Sequence, residues 1–337
     1  MIKEAIAQLV DGHSLTMDEA STVMEEIMEG NATPAQFGSF VTALRFNGET
    51  VDEIAGLART MRSKALRVQI NEPVVDTCGT GGDARGTFNI STAAAFVAAA
   101  CGLKVAKHGN RAMSSQCGSA DVLEALGIKI DLSPEQVQKC LEKVGMGFML
   151  ATVFHPAMKF AAVPRKEVGI RTVFNILGPL TNPASAGAQV LGVPKKNLTE
   201  TMAMVLKILD CQHALVVHGE DGLDEITITG KTFVSELQNG TIKNYEITPE
   251  DVGLSRASPA SLKGGTAREN AELLRSILSG KKGAQRDIVL MNAAAALIAG
   301  SKAATFKGGI AEASAAIVTG KALQKLEDLV KFSQNPN

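Results

Sequence analysis

The stretch "VDTCGTGGDARGTFNIST", Val75 to Thr92, decides how the chain is read. It sets four glycines, two aspartates and a run of hydroxyl and amide side chains between a short apolar run and an alanine-rich segment. Val74 to Asp76 predicts a strand, and "STAAAFVAAACG", from about Ser91 to Gly102, predicts a helix. Ligands sit at such strand-to-helix turns. Gly79, Gly81 and Gly82 leave backbone N–H groups open to an anion, and the helix adds the positive end of its dipole. Thr87, Asn89, Ser91 and Thr92 bring more donors to the helix entrance than an N-cap needs. Asp83 would repel a phosphate, so it addresses sugar hydroxyls or a metal-bound water. A phosphorylated sugar satisfies both demands.

Two commoner cradles are excluded. Gly79, Gly81 and Ala84 satisfy a relaxed G-x-G-x-x-A pattern, but a dinucleotide site wants an acid about 20 residues on, where this chain has Lys107 and His108. No G-K-[ST] follows the glycines, which removes the Walker A loop. The next unit, "KHGNRAMSSQCGSADVLEALG", Lys107 to Gly127, again reads strand, polar loop, helix. Lys107, Asn110, Arg111, Ser114, Ser115 and Ser119 form a second expected anion cradle, with Lys107 and Arg111 as its cations. Further on, "VVHGEDGLDEITITG" carries Asp221, Asp224 and Glu225 into a turn, where hard carboxylate oxygens suit Mg2+ and Ser91 could add a hydroxyl.

The surroundings fit an α/β domain with a mostly parallel sheet. Further strands are expected at Leu103 to Lys107, Phe148 to Leu150, Val190 to Gly192, Ala214 to His218 and in the Ile226 to Phe233 region, with helices between most of them. Residues 1–70 differ: Thr16 with Glu19, Thr33 with Gln36 and Thr50 with Glu53 are capping boxes, each opening a helical pattern. The expected division is a helical domain over 1–70 and an α/β domain over 71–337. The stripes Val23, Met24, Ile27, Met28 and Phe37, Phe40, Val41, Leu44 are core or a surface for a second subunit. With 34 basic against 35 acidic residues, no Trp and 4% aromatic residues, nucleic acid is not an expected partner. No apolar run is long enough for a bilayer. Five scattered cysteines without a C-x-x-C pair read as reduced thiols, and five histidines without i, i+4 spacing exclude an H-E-x-x-H zinc site. A cytoplasmic enzyme fits best.

"CGTGGD", "GTFNIST", "KHGNRAMSSQCGSADVLEALG", "RTVFNILGPLTNP" and "DGLDE", in this order, resemble the anthranilate phosphoribosyltransferase family across essentially the whole chain. The resemblance implies a helical N-terminal domain, joined by helices around 165–182, an α/β domain, and a homodimer through the helical part. It also implies Mg2+ and transfer of phosphoribose from phosphoribosyl pyrophosphate to the amine of anthranilate, in tryptophan biosynthesis. Carried over residue by residue, the donor would bind Gly79, Gly82, Asp83, Thr87, Asn89, Ile90, Ser91, Thr92, Lys107, His108, Gly109, Asn110, Arg111, Ala112, Met113, Ser114, Ser115 and Ser119. Anthranilate would meet Gly79, Asn110 and Arg165, with His108 and Pro179 lining its route, and Ser91, Asp224 and Glu225 would hold Mg2+. Positioning and charge neutralisation suffice for this chemistry, so no residue is assigned as nucleophile or general base, neither Cys78 nor His108. Pyrimidine nucleoside phosphorylases are the alternative, but they carry Ser-Thr where this chain has Gly109-Asn110. A non-catalytic phosphoribosyl-binding protein is another, but it would not need Asp224 and Glu225.

Overall fold

The computed structural model describes residues 1–83, 85–112 and 116–336. The chain begins with α1 (Ile2–Val10), α2 (Met17–Met28), α3 (Pro34–Asn47) and α4 (Val51–Ser63). Each expected capping box is made: the Thr16, Thr33 and Thr50 hydroxyls accept from the N–H groups of Glu19, Gln36 and Glu53, and those side chains reach back. Glu53 does more, because its buried carboxylate also accepts the Leu15 N–H at 2.9 Å and so fixes the α1–α2 link against α4. Both apolar stripes are core, with Met24 and Phe40 at 0% exposure and Met28 at 3%. The subunit-interface alternative for these stripes is thereby removed.

From residue 75 the chain alternates strand and helix: β1 (Val75–Gly79), α5 (Ile90–Ala100), β2 (Val105–Gly109), α6 (Ser119–Ala125), α7 (Pro134–Lys143) and β3 (Met146–Leu150). Three helices, α8 (Ala151–Phe154), α9 (Lys159–Val168) and α10 (Phe174–Leu177), precede β4 (Ala188–Gly192), α11 (Leu198–Ile208) and β5 (His213–Gly219). A hairpin of β6 (Thr232–Gln238) and β7 (Thr241–Ile247) follows, then α12 (Ala267–Leu278), α13 (Ala284–Ala299), α14 (Phe306–Val318) and α15 (Lys321–Gln334). The sheet has seven strands in the order β3-β2-β1-β4-β5-β6-β7, parallel from β3 to β5 and antiparallel across β6 and β7. Residues 226–231 lie outside the strands, so the expected strand there begins only at Thr232. β7 is a strand that the sequence pattern leaves out, although Asn239-Gly240 at the hairpin tip, with φ of 48° and 77°, is a strong hairpin signal.

The sheet separates two cores. Leu215 and Val217 of β5 point into one, with α5 and α13, while Ala214 and Val216 point into the other, with α11 and the N-terminal helices. Ala161 of α9 and Phe174 and Leu177 of α10 belong to the second core, where the Phe37 and Phe174 rings lie 5.3 Å apart. Arg62 of α4 is tied to the rest of the molecule through the Leu180 and Leu209 carbonyls, at 2.6 and 2.8 Å. β1 lies centrally, flanked by β2, which leads to one edge, and by β4, which leads to the other. The crevice beyond the carboxyl ends of β1 and β4 is the switch point where such sheets take ligands.

The turn Gly178–Asn182 closes one side of that crevice, and buried side chains hold its carbonyls. His108 at the end of β2 bonds the Gly178 carbonyl through Nδ1 at 3.2 Å, and His155 after α8 bonds the Thr181 carbonyl through Nε2 at 3.0 Å. Gln189 of β4 donates to the Pro179 carbonyl at 2.7 Å. Asn182 donates to Asp76 of β1 at 2.7 Å and to the Ala106 carbonyl at 2.8 Å.

Met24→Lys places a charge in a sealed core and is expected to abolish folding; a folded, soluble variant with an unchanged melting temperature would contradict the burial of Met24. Burial pushes the His155 imidazole down from 6.5 to about 4. The folded protein therefore keeps it neutral where the unfolded chain protonates it, so its contribution is fully present above about 6.5 and is lost as pH falls to about 4, roughly 3 kcal/mol over the window. His155→Gln keeps an N–H for Thr181 and has no proton to gain. Its melting temperature should fall less than the wild type's between neutral pH and pH about 4.5; parallel curves would refute the assignment.

Candidate active site

Gly79 and Gly192 face each other in register at the ends of β1 and β4. A side chain on either would overlap Asp224: its carboxylate at Gly79, its backbone at Gly192. The missing side chains let the loop after β5 cross both strand ends, where the Asp224 carboxylate accepts the Gly81 N–H at 2.6 Å. Glu225 accepts the Ser91 N–H at 3.2 Å, in the first turn of α5. Burial first, and then the neighbouring carboxylates, Asp83 for Asp224 and Asp224 for Glu225, raise the pKa of both. Asp221 is differently employed, since it accepts from the Thr227 and Thr229 hydroxyls at 2.7 and 2.5 Å and so closes its own loop.

Around the glycine loop, Gly81 and Gly82 adopt φ of 71° and 75°, which any side chain would strain. Asp83 accepts the Arg85 N–H at 3.2 Å. Thr87 forms a bridge with Lys263. Asn89 does not cap α5; its amide donates to the Cys117 carbonyl at 3.1 Å and accepts from Asn270 at 3.0 Å, fastening the first loop to the end of the second. Ile90 turns into the core and gives its N–H to the Phe88 carbonyl at 2.8 Å. Thr92 is buried, and its hydroxyl has no partner among the described residues.

The second loop departs from expectation in its cations. At 2% exposure the Lys107 ammonium lies under the loop, on the Thr77 carbonyl and the Ser91 hydroxyl. Its position in the central sheet buries the side chain, and the buried Asp76 carboxylate supplies attraction. Arg111 is held by Glu124 at 2.8 and 3.0 Å and by Asp121 at 3.2 Å, because α6 presents both acids to it. Asp121 also accepts the Ala112 and Gly118 N–H groups at 2.9 and 2.8 Å. Gly109 makes room for Ser119, whose hydroxyl donates to the Asn110 carbonyl at 3.3 Å. The Asn110 side chain accepts the Arg111 N–H at 2.8 Å. Met113, Ser114 and Ser115 lie outside the described residues.

His108 is neutral: burial, then His155, pushes it down to about 3, and its Nε2 has no partner among the described residues. Cys78 is a buried thiol whose pKa is driven up by burial. Arg165, in the last turn of α9, is half-buried and makes no ion pair among the described residues; burial and then Arg171 lower its pKa. Sequence reasoning missed Arg171, whose guanidinium donates to the Gly81 carbonyl at 3.0 Å. It also missed Asp76, Asn182, His155 and Gln189. Only a polar residue inside an apolar strand, Asp76 in "VVDT" and Gln189 in "AQVLG", could have signalled them.

Residues 71–323 match the glycosyl transferase family a/b domain, and residues 3–65 the glycosyl transferase family helical bundle domain. The chain is 58% identical over 337 residues to an anthranilate phosphoribosyltransferase of Dehalococcoides mccartyi, covering 99% of each chain. It superposes on the crystal structure of anthranilate phosphoribosyltransferase from Thermus thermophilus with a TM-score of 0.93, at 45% identity, covering 98% of this chain and 99% of that one. The Saccharomyces cerevisiae enzyme, in complex with PRPP and Mg, superposes with a TM-score of 0.91 at 29% identity, covering 99% and 98%. With likeness of this extent in sequence and in fold, the chain belongs to the anthranilate phosphoribosyltransferase family.

Proposed function

We propose that this chain transfers the phosphoribosyl group of 5-phosphoribosyl 1-pyrophosphate to the amine of anthranilate, giving N-(5-phosphoribosyl)anthranilate and pyrophosphate, in tryptophan biosynthesis. The observation that carries the reading is the meeting of Asp224 with the Gly81 N–H and of Glu225 with the Ser91 N–H, which joins an acidic pair to a glycine loop and a helix N-terminus in one crevice. Full-length similarity to enzymes of this name supports it.

The site fits Mg2+. Mg2+ takes one or two carboxylates and fills its shell with substrate oxygens and water, and Asp224 and Glu225 offer such a pair beside the glycine loop. Two half-buried or buried carboxylates that repel each other are relieved by a divalent cation. Asp224 and Glu225 would hold it with the Ser91 hydroxyl, and when bound it neutralises charge on the leaving pyrophosphate.

The chain's own residues bind and orient. The Gly79–Asp83 loop and the α5 N-terminus receive the donor, and Lys107 acts through Ser91, whose hydroxyl it fixes. The aniline nitrogen of anthranilate is neutral at pH about 7, so it attacks the ribose carbon once held at about 3 to 3.5 Å in line. His108 commits Nδ1 to Gly178, and with its pKa pushed down to about 3 its free Nε2 is too weak a base to be needed. Arg165 takes the anthranilate carboxylate, beside Asn110 and Gly79, with Pro179 as a wall.

The protein works as a cytoplasmic homodimer. α3 packs between α1 and α9, and these helices leave Val10, Phe46 and Val163 exposed at 71%, 93% and 63%, apolar surface that a second copy covers. Unpaired thiols at all five cysteines suit a reducing compartment.

Anthranilate fluorescence should fall when phosphoribosyl pyrophosphate and Mg2+ are added. Unchanged fluorescence, with phosphorolysis of thymidine instead, would move the assignment to a nucleoside phosphorylase. The double variant Asp224→Asn with Glu225→Gln should fold and lose nearly all turnover; wild-type rates at low Mg2+ would place the metal elsewhere. A charge-assisted hydrogen bond is worth about 1.5 to 3 kcal/mol, so Arg165→Ala should raise the anthranilate KM about 10- to 100-fold with little change for the donor. An effect on the donor alone would show the two pockets to be reversed.

A further inference from the structure

Arg171 has no part in the transfer chemistry described above, yet three observations converge on it. Its guanidinium donates to the Gly81 carbonyl at 3.0 Å, while the N–H of the same Gly81 is held by Asp224 at 2.6 Å. It also occupies the space that a side chain on Gly82 would fill, so Gly82 is open for this arginine as well as for its positive φ. Lastly, Arg171 makes no ion pair among the described residues, and it is the charged neighbour that, after burial, lowers the pKa of Arg165. The two arginines are thus neighbours, and neither is neutralised by an ion pair among the described residues.

The base of Arg171 is firm. Thr172, Val173 and Phe174, which follow it, are buried, Val173 and Phe174 in the core shared with the N-terminal helices. The Thr172 N–H is fixed by the Asn175 side chain at 2.9 Å. The arginine therefore reaches from this anchored segment onto the glycine loop of the α/β unit, which is also fastened by the Thr80 N–H on the Gly192 carbonyl at 2.9 Å and by the Gly81 N–H on Asp224.

We propose that Arg171 is a positioning residue that latches the β1 glycine loop in its donor-binding shape, holding the Gly81–Gly82 peptides from the side that carries the acceptor arginine. The proposal rests on the phosphoribosyl-donor reading of the crevice. It implies that the donor loop and the Arg165 arm are set as one unit, and that loss of the latch is felt first by the donor.

The test is titration of phosphoribosyl pyrophosphate with Mg2+ into the wild type, Arg171→Ala and Arg171→Lys, without acceptor, followed by steady-state kinetics. Arg171→Ala should weaken donor binding roughly tenfold, with the anthranilate KM within about twofold and the melting temperature unchanged. Arg171→Lys keeps a donor for the Gly81 carbonyl and should recover part of the loss, which a merely structural role would not predict. Unchanged donor affinity in Arg171→Ala overturns the proposal, as does a rise in the anthranilate KM alone, which would make Arg171 a second acceptor-binding cation. Should Arg171→Ala fail to fold, Arg171→Gln gives the same comparison. A wild type that binds the donor and transfers nothing to anthranilate would refute the acceptor and leave the latch standing.

Discussion

The close approach of the β5 loop to the ends of β1 and β4 is the constraint on which the site depends. Gly79 and Gly192 are register partners, and neither can carry a side chain while Asp224 lies against them. That contact puts a carboxylate from one strand on the Gly81 N–H after another, and carries Glu225 to the first turn of α5. The glycines therefore serve a packing need before any ligand arrives. Their openness toward an anion is the second use of the same absent atoms.

Charge is arranged around this contact in two depths. Below the loop, Lys107 is sealed with Asp76 and turns its donors to Thr77 and Ser91. Above it, Asp83, Asp224 and Glu225 repel one another in a desolvated place. The lower layer is satisfied within the protein and gives rigidity, while the mutual repulsion of the upper carboxylates is what a divalent cation would relieve. Arg111, which the sequence offers as a phosphate ligand, belongs to neither while Glu124 and Asp121 hold it.

A second wall comes from the turn Gly178–Asn182. His108 of β2, His155 after α8 and Gln189 of β4 bond its Gly178, Thr181 and Pro179 carbonyls, with Asn182 tying the turn to Asp76. Buried polar groups paired across the turn in this way favour one arrangement of the chain, since a shift would break these bonds in a desolvated place. The two halves of the crevice, glycine loop and turn, therefore meet through β1 and β2.

Much of this was legible in the chain itself. The capping boxes of Thr16, Thr33 and Thr50, the strand-loop-helix unit at Val75 to Thr92 and the parallel strands follow from local patterns, because a cap or an alternating run is fixed by neighbours in sequence. The motif order also pointed to the family. Where charges aim was not legible: Lys107 reads as a cation of the second cradle and its ammonium is buried, Arg111 reads as another and is paired with Glu124, and Met24 reads as core or as interface and is core. Asp76 and Asn182 lie 106 residues apart and Gly81 and Arg171 90 apart, so no local spacing announces that they touch. Sequence by itself determined which elements form and which chemistry the loops can carry. The tertiary structure alone decided which polar groups remain for a ligand, because a side chain's partners depend on which strand ends are brought together, and that follows from the order of strands in the sheet.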